Sequence, residues 1–169
     1  GQSAIKSNFV RELADGELKL GAAYANIGRG TSADEHTALA FTVGYYFGPY
    51  SIGGGFQTES DIPGASGRDS FSIGASAKVG EKGVVKAQFA SSEGDEQNSD
   101  ASIFALGYDY LLNDTTTLYV AYSQTDNDEG VKFSTNGKGH GDNMPPMLGG
   151  DPTAFSFGIV YKFDVGLMK

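Results

Sequence analysis

The sequence predicts an all-β fold, an antiparallel up-and-down sheet, and three observations lead to this prediction. Apolar residues recur at every second position in eight segments of the 169-residue chain, which is the period of a strand with one apolar face. No segment shows the period of an amphipathic helix. The connections alternate between short turns and long polar loops, as they do when consecutive strands are antiparallel neighbours.

The closing segment shows the strand pattern best. There Phe155, Phe157 and Ile159 alternate with the small residues Ser156 and Gly158. An additional segment at the start of the chain alternates poorly, so the sequence predicts eight or nine strands in a single β-barrel domain, or part of one, over residues 1–169. The predicted strands are residues 4–13, 17–28, 37–47, 50–58, 69–79, 83–92, 101–111, 115–125 and 153–164.

The connections define two ends of the predicted sheet. Turns near residues 14–16, 48–49, 80–83 and 112–114 form the short-turn end, and loops 30–36, 59–68, 92–100 and 126–152 form the long-loop end. Acidic side chains concentrate in the long loops, so an acidic mouth is expected there. They are Asp34, Glu35, Glu59, Asp61, Glu93, Asp95, Glu96, Asp126, Asp128, Glu129, Asp142 and Asp151.

The two faces of the predicted strands favour a transmembrane β-barrel. The apolar face carries bulky residues, among them Phe41, Phe56, Phe71, Phe89, Phe104, Phe155 and Phe157. The small-residue face carries mainly Gly, Ala, Ser, Thr, Gln and Lys. The alternative is a soluble barrel with its apolar face inside, but its outer face would be richly charged, and this one is not. Strands of about ten residues also suit a tilted crossing of a bilayer.

Aromatic residues gather at the short-turn end, as they do where a barrel meets the membrane–water interface. The residues concerned are Tyr45, Phe47 and Tyr50 at one turn, Tyr108 and Tyr110 before another, and Tyr161 and Phe163 in the last strand.

Composition argues against several other classes of protein. No run approaches the roughly 18 apolar residues of a membrane helix. The absence of cysteine excludes disulfides and thiolate metal sites. The net charge of -9 argues against nucleic acid as a partner. The opening GQSAIKSNFV lacks the features of a signal peptide, so a mature chain or a fragment is expected.

Four stretches resemble the Gram-negative general porins, namely ELKLGAAYANIG, TALAFTVGYYFGPYSIGGGF, FALGYDYLLNDTTTLYVAYSQTDND and AFSFGIVYKF. The third is the most specific, because its two strands and Asn-Asp turn are similar to a late hairpin of that family. The fourth resembles the family's closing strand, although the chain continues for six residues beyond Phe163. The resemblance implies a channel in the bacterial outer membrane for passive diffusion of small hydrophilic solutes and ions.

The resemblance also implies that the chain is incomplete and that it has partners. Porins of this family have sixteen strands, so nine strands would be the C-terminal part of the barrel. Implied partners are outer-membrane lipid, lipopolysaccharide, the outer-membrane assembly machinery and two further copies in a homotrimer, with Phe155 and Phe157 near the subunit contacts. The alternative is a complete eight-stranded outer-membrane barrel from Glu17 to Asp164 with a structural or adhesive role.

Lysines on the small-residue face are the strongest functional signal. Charges on a pore wall set ion preference through the local potential. The predicted pore-lining residues are Lys19, Lys78, Lys86, Lys162 and Asp109, with Arg11 added although the phase of its strand is not fixed by the sequence. The alternative is that the lysines only extend to water at the rim, where they would not affect permeation.

Other chemistry has weaker support in the sequence. Asp126, Asp128 and Glu129 supply oxygen ligands of the kind that calcium takes, but a solvated loop is the simpler interpretation. His36 and His140 fall in predicted loops, away from any strand-borne serine and aspartate that would complete a hydrolytic triad. We therefore predict no enzymatic activity and no cofactor.

Overall fold

The strands of the chain form one sheet in sequence order. The computed structural model describes residues 2–27, 36–60, 66–135 and 145–163. Each strand pairs antiparallel with the next along the chain, which confirms the predicted up-and-down all-β fold. Within these residues the strands are β1 (Gln2–Leu13), β2 (Gly16–Ile27), β3 (His36–Phe47), β4 (Tyr50–Ser60), β5 (Arg68–Val79), β6 (Gly83–Gly94), β7 (Ala101–Asn113), β8 (Thr116–Asn127) and β9 (Thr153–Tyr161).

The strands overlap the predicted ranges but run further towards the long loops. β4 ends at Ser60, β6 at Gly94 and β8 at Asn127, each two residues beyond its predicted end. Polar residues interrupt the apolar alternation there, yet their backbones still continue the strand. His36 begins β3 instead of lying in a loop, and β9 ends at Tyr161. Residues 28 and 164, the predicted ends of two strands, lie outside the described residues.

The first strand is complete although its alternation is poor. β1 pairs with β2 along its whole length. Its pattern is irregular because Val10 lies on the small-residue face, while Ser7 and Arg11 lie on the apolar face. The described chain therefore has nine strands, not eight, and no helix of the length and apolarity needed to cross a membrane is found among its described residues.

The strand register assigns every side chain to one of the two faces, because residues directly opposite each other in a ladder share a face. The two sequence-predicted faces are confirmed. One row of the apolar face crosses seven strands through Phe9, Leu20, Val43, Gly54, Ile73, Phe89 and Phe104. The adjacent row of the small-residue face contains Val10, Lys19, Gly44, Gly53, Gly74, Gln88 and Ala105.

The sheet has no hydrophobic core of its own. None of the described hydrophobic side chains is buried, and Phe41 and Phe157 are 50% and 81% exposed. A sheet must bury its apolar face against another layer to be stable, and apolar patches of this extent do not occur on monomeric soluble proteins. The apolar face is therefore covered by something other than the described chain.

Aromatic rings cluster at the short-turn end, as predicted. The ring centroids of Tyr45 and Phe47 are 5.1 Å apart, and those of Phe47 and Tyr50 are 5.6 Å apart. The hydroxyl of Tyr45 donates a hydrogen bond of 2.7 Å to Asp15 Oδ1 in the neighbouring turn. These rings form a belt at the short-turn end, and the Tyr45 hydroxyl reaches a polar group in the turn beyond it. This arrangement suits the boundary between hydrocarbon and water.

Candidate functional site

The small-residue face is a smooth polar wall. Gly44, Gly53 and Gly74 lie side by side on three neighbouring strands, so backbone is exposed where side chains would otherwise project. Serine hydroxyls pair across strands on the same face: Ser51 Oγ and Ser76 Oγ are 2.8 Å apart, and Ser70 Oγ and Ser92 Oγ are 3.1 Å apart. A wall of backbone and hydroxyl groups presents hydrogen-bonding groups to water without obstructing the space in front of it.

Three of the predicted lysines project from this wall. Lys19 lies opposite Gly44, Lys78 opposite Val84, and Lys86 opposite Gly107, all on the small-residue face. Lys162 follows the end of β9, and its backbone N–H donates to the carbonyl of Thr115 over 2.8 Å. The first three positions agree with the sequence interpretation, and the fourth places Lys162 at the short-turn rim.

Two of these lysines are held by carboxylates. Lys19 Nζ is 2.7 Å from Glu17 Oε1 and 4.7 Å from the centroid of the Tyr46 ring. Lys86 forms an ion pair with Asp109, which belongs to the same face. Both lysine side chains are about half exposed, so solvent screens the pairs and they add little to the stability of the fold. Their main effect is to fix where positive and negative charge lies on the wall.

The register corrects the placement of Arg11 and adds a lysine that the sequence did not reveal. Arg11 lies opposite Leu18 on the apolar face, because the odd-numbered residues of β1 point to that side. Lys6 lies opposite Ala23 on the small-residue face, near the middle of the strand. The irregular alternation of β1 hid its phase, and without that phase neither residue could be assigned to a face.

The three candidate calcium ligands do not converge. Asp126 lies opposite Ser102 on the apolar face. Asp128 Oδ2 accepts a hydrogen bond of 3.3 Å from the backbone N–H of Asp100. No group of three histidine or acidic side chains in the described ranges is arranged to hold a metal ion. The hypothesis that Asp126, Asp128 and Glu129 bind calcium therefore gains no support from the geometry.

The acidic residues expected at the mouth are only partly in loops. Glu59 lies in β4, where its Oε2 atom is 3.0 Å from His36 Nε2, and Glu93 lies in β6 on the apolar face. Asp126 lies in β8, and the other described members of the set, Asp95, Glu96, Asp128, Glu129 and Asp151, lie in loops. Asp34, Glu35, Asp61, Asp142 and His140 lie outside the described residues.

A buried polar cluster lies at the long-loop end, where the sequence pattern indicated none. Ser99, Thr125 and Asn127 are the buried polar side chains of the described chain. The Asn127 amide donates to the carbonyls of Phe133 and Gly150 over 3.0 and 2.7 Å, and its Oδ1 accepts the Phe133 N–H over 2.9 Å. Nothing in the local sequence distinguishes Asn127 from the exposed polar residues beside it.

Arg68 contributes to the same cluster from the neighbouring strands. Its Nη1 donates to Ser92 Oγ over 3.0 Å and its Nη2 to the carbonyl of Ser99 over 2.9 Å. The guanidinium carbon lies 5.0 Å from the centroid of the Phe133 ring. Arg68 and Asn127 both belong to the small-residue face, so the loops they bind lie on that side of the rim.

Comparison with known proteins identifies what this arrangement resembles. A family model described as Gram-negative porin matches residues 6–130, which is more than half of the chain. The anion-selective porin from Comamonas acidovorans has a similar structure, with a TM-score of 0.78 and 26% sequence identity over 95% of this chain and 49% of its own. No curated protein sequence matches the chain.

A second solved structure has the same fold at lower identity. OmpT, an outer membrane protein of Vibrio cholerae in trimer form, matches with a TM-score of 0.64 and 16% identity over 95% of this chain and 56% of that chain. The chain thus spans about half the length of the two solved structures that it matches.

Proposed function

Because the chain belongs to the Gram-negative porin family, we propose that its sheet is part of the wall of a water-filled channel in the outer membrane. Small hydrophilic solutes and ions cross this channel by diffusion, with no chemical turnover. The observation that carries the proposal is the contrast between the faces: an apolar face with no buried side chain suits lipid, and a wall of glycine, hydroxyl and lysine groups suits water.

The open edges of the sheet support a larger barrel. β1 and β9 each pair with a single neighbour in the described part of the chain. A strand edge in hydrocarbon leaves its N–H and C=O groups unsatisfied, so spanning sheets close into barrels. Further strands of the same protein would pair with both edges, in keeping with the greater length of the matched structures. A complete eight-stranded barrel is less consistent with nine paired strands.

A weak preference for anions follows from the charges on the wall. Lys6 and Lys78 form no ion pair within the described residues, whereas Lys19 and Lys86 are each paired with a carboxylate. Among the strand residues of this face, the basic side chains outnumber the acidic ones by five (Lys6, Lys19, Arg68, Lys78 and Lys86) to four (Glu12, Glu17, Glu59 and Asp109). The wall therefore carries a small excess of positive charge, although the whole chain is acidic. That the Comamonas porin is anion-selective supports this part of the proposal.

The proposed assembly is a homotrimer embedded in lipid and lipopolysaccharide after insertion by the outer-membrane assembly machinery. Phe155 and Phe157 at the β9 edge are 69% and 81% exposed and offer apolar surface near a subunit contact. The trimer form of the Vibrio structure supports the oligomeric state.

Ion conduction by the complete protein tests the proposal. Purified from outer membranes and added to a planar lipid bilayer, it should produce stepwise conductance that scales with salt concentration. In a salt gradient, the Lys19→Ala, Lys86→Ala double variant should shift the reversal potential towards cation preference, because it removes two positive charges from the wall. A silent protein would contradict the channel function, and an unchanged reversal potential would contradict only the role of the two lysines.

A further inference from the structure

The long loop at the mouth carries a determinant of size selectivity. We propose that Phe133 is a fixed obstacle at the entrance of the channel and that Asn127 is the positioning residue that holds it there. The inference rests on the proposed function, since it assigns a solute-size limit to the same channel.

The location of the loop follows from the side chains that bind it. Asn127 lies opposite Ala101, and Arg68 lies opposite Gly94, both on the small-residue face at the long-loop end of the sheet. Phe133 contacts both of these residues. Phe133 therefore lies on the water-facing side of the rim, where solute would enter the proposed channel, and not on the apolar side.

Asn127 ties the two limbs of the loop together. Its side-chain oxygen and nitrogen bind the backbone N–H and C=O of Phe133 on the outgoing limb, and the nitrogen also binds the Gly150 carbonyl on the returning limb. The Asn127 backbone N–H donates to Asp151 Oδ1 over 2.9 Å. Because Asn127 is 7% exposed, water cannot easily replace these bonds if the side chain is removed.

Backbone hydrogen bonds fix the outgoing limb against the neighbouring loop. The N–H of Asp128 donates to the Asp100 carbonyl, and the N–H of Gly130 donates to the Asn98 carbonyl, each over 2.9 Å. Within the long loop, the Gly149 N–H donates to the Val131 carbonyl over 2.9 Å. These hydrogen bonds hold the described limbs of the loop in a fixed position, so they can keep the Phe133 side chain in one place.

Phe133 is suited to act as that obstacle. One face of its ring lies 5.0 Å from the Arg68 guanidinium carbon, a cation–π arrangement that fixes the ring orientation. The side chain nevertheless remains 41% exposed. An anchored aromatic ring with its remaining surface free narrows the opening without closing it, and it adds apolar surface to an otherwise polar entrance.

Three single variants of the complete protein test this assignment in liposome-swelling measurements with sugars of increasing size. Phe133→Ala removes the obstacle and Asn127→Ala removes its support, so both should raise the permeation rate of a trisaccharide relative to a monosaccharide. Leu148→Ala is the matched control: Leu148 lies in the same loop and is 63% exposed, so the ratio should not change. Limited proteolysis should cut the loop near residues 131–135 faster in Asn127→Ala than in the parent protein.

The outcomes separate this inference from the proposed function. If the parent protein admits sugars but Phe133→Ala leaves the trisaccharide-to-monosaccharide ratio unchanged, Phe133 does not limit solute size and the inference is overturned. It is also overturned if Asn127→Ala neither changes the ratio nor speeds cleavage. A parent protein that admits no sugar at all would contradict the channel itself. Because Phe133 is partly exposed, its alanine variant should fold even if the Asn127 variant does not.

Discussion

Lys6 and Arg11 lie on one strand but on opposite faces. In the proposed channel, this difference decides which of the two charges a permeating ion would meet. Lys6 projects from the small-residue face near the middle of the twelve-residue β1. Arg11 projects from the apolar face near the short-turn end. The pair offers a test of the faces, because each substitution by glutamine removes one positive charge from the same strand, one on each face.

Replacing Lys6 by Gln should lower the ratio of anion to cation permeability. A unit charge at about 4 Å in water contributes roughly 1 kcal/mol with opposite sign for an anion and a cation, so each permeability changes by at most about fivefold and their ratio by at most about thirtyfold. The control Arg11→Gln should leave the ratio unchanged, because its side chain is separated from the lumen by the sheet. Both values come from reversal potentials in a salt gradient. Equal shifts for the two variants would show that the register of β1 has been misassigned.

Tyr119 and Gly158 form a close cross-strand pair on the small-residue face. A Cβ atom on Gly158 would lie 2.7 Å from Tyr119 Oη and 2.8 Å from its Cε1, so the ring rests on the glycine. At Gly107, on the same face, the nearest atom to an added Cβ is 3.8 Å away.

Gly158→Ala should therefore destabilise the folded barrel by roughly 1–3 kcal/mol, the usual cost of overpacking, whereas Gly107→Ala should change little. Denaturant unfolding of the detergent-solubilised protein measures both. The ring can swing away from an alanine, so the double variant Gly158→Ala, Tyr119→Ala should recover part of the loss. If the two single variants were equally stable, the ring would not be packed on Gly158.

At the scale of elements, β4 packs very closely against β3 at Gly53 and against β5 at Gly54, and neither position has room for a Cβ atom. An added Cβ would lie 2.9 Å from the Val43 carbonyl oxygen at Gly53 and 2.5 Å from the Ser72 carbonyl oxygen at Gly54. Unlike a tyrosine ring, a backbone carbonyl in a ladder cannot move aside without breaking hydrogen bonds. Glycine at positions 53 and 54 is thus a requirement of strand packing.

Gly54→Ala should cost about 3 kcal/mol or more, the upper end of the overpacking range, and it should reduce the yield of folded barrel. The fraction that remains compact on an unheated denaturing gel measures this yield. Gly107→Ala again serves as the control within a strand. Normal folding of Gly54→Ala would mean that β3, β4 and β5 are less tightly packed than described here.

The strands also show which parts of the fold can be predicted from the sequence and which cannot. Alternation located eight strands and both faces, because a one-layer sheet in lipid imposes period 2 on its strands, and it left the ninth strand, β1, open. It failed at strand ends such as Asn127, where polar residues continue the ladder, and in β1, where Arg11 and Val10 break the pattern. The lysine wall was predictable because Lys19, Lys78 and Lys86 interrupt a run of small residues. The buried polar cluster at the long-loop end was not predictable, because its residues come from four separate segments of the chain.

At the scale of the whole molecule, the fold depends on its surroundings. No described hydrophobic side chain is buried and both outer strands have open edges. We therefore expect the sheet to be stable only when lipid covers the apolar face and further strands satisfy the edges. We expect the native polypeptide to have about twice the mass of this chain, as intact-protein mass spectrometry of outer-membrane extracts would show; a native mass equal to that of the chain would contradict a larger single-chain barrel.

The central claim, that the small-residue face meets water and the apolar face meets lipid, can be tested most directly by cysteine accessibility along β5. The chain contains no cysteine, so each introduced thiol in it is unique. In intact outer membranes, Ser72→Cys and Ser76→Cys should react with a small charged thiol reagent, whereas Phe71→Cys and Ile73→Cys should not. Equal reactivity at all four positions, or the reverse pattern, would contradict the account.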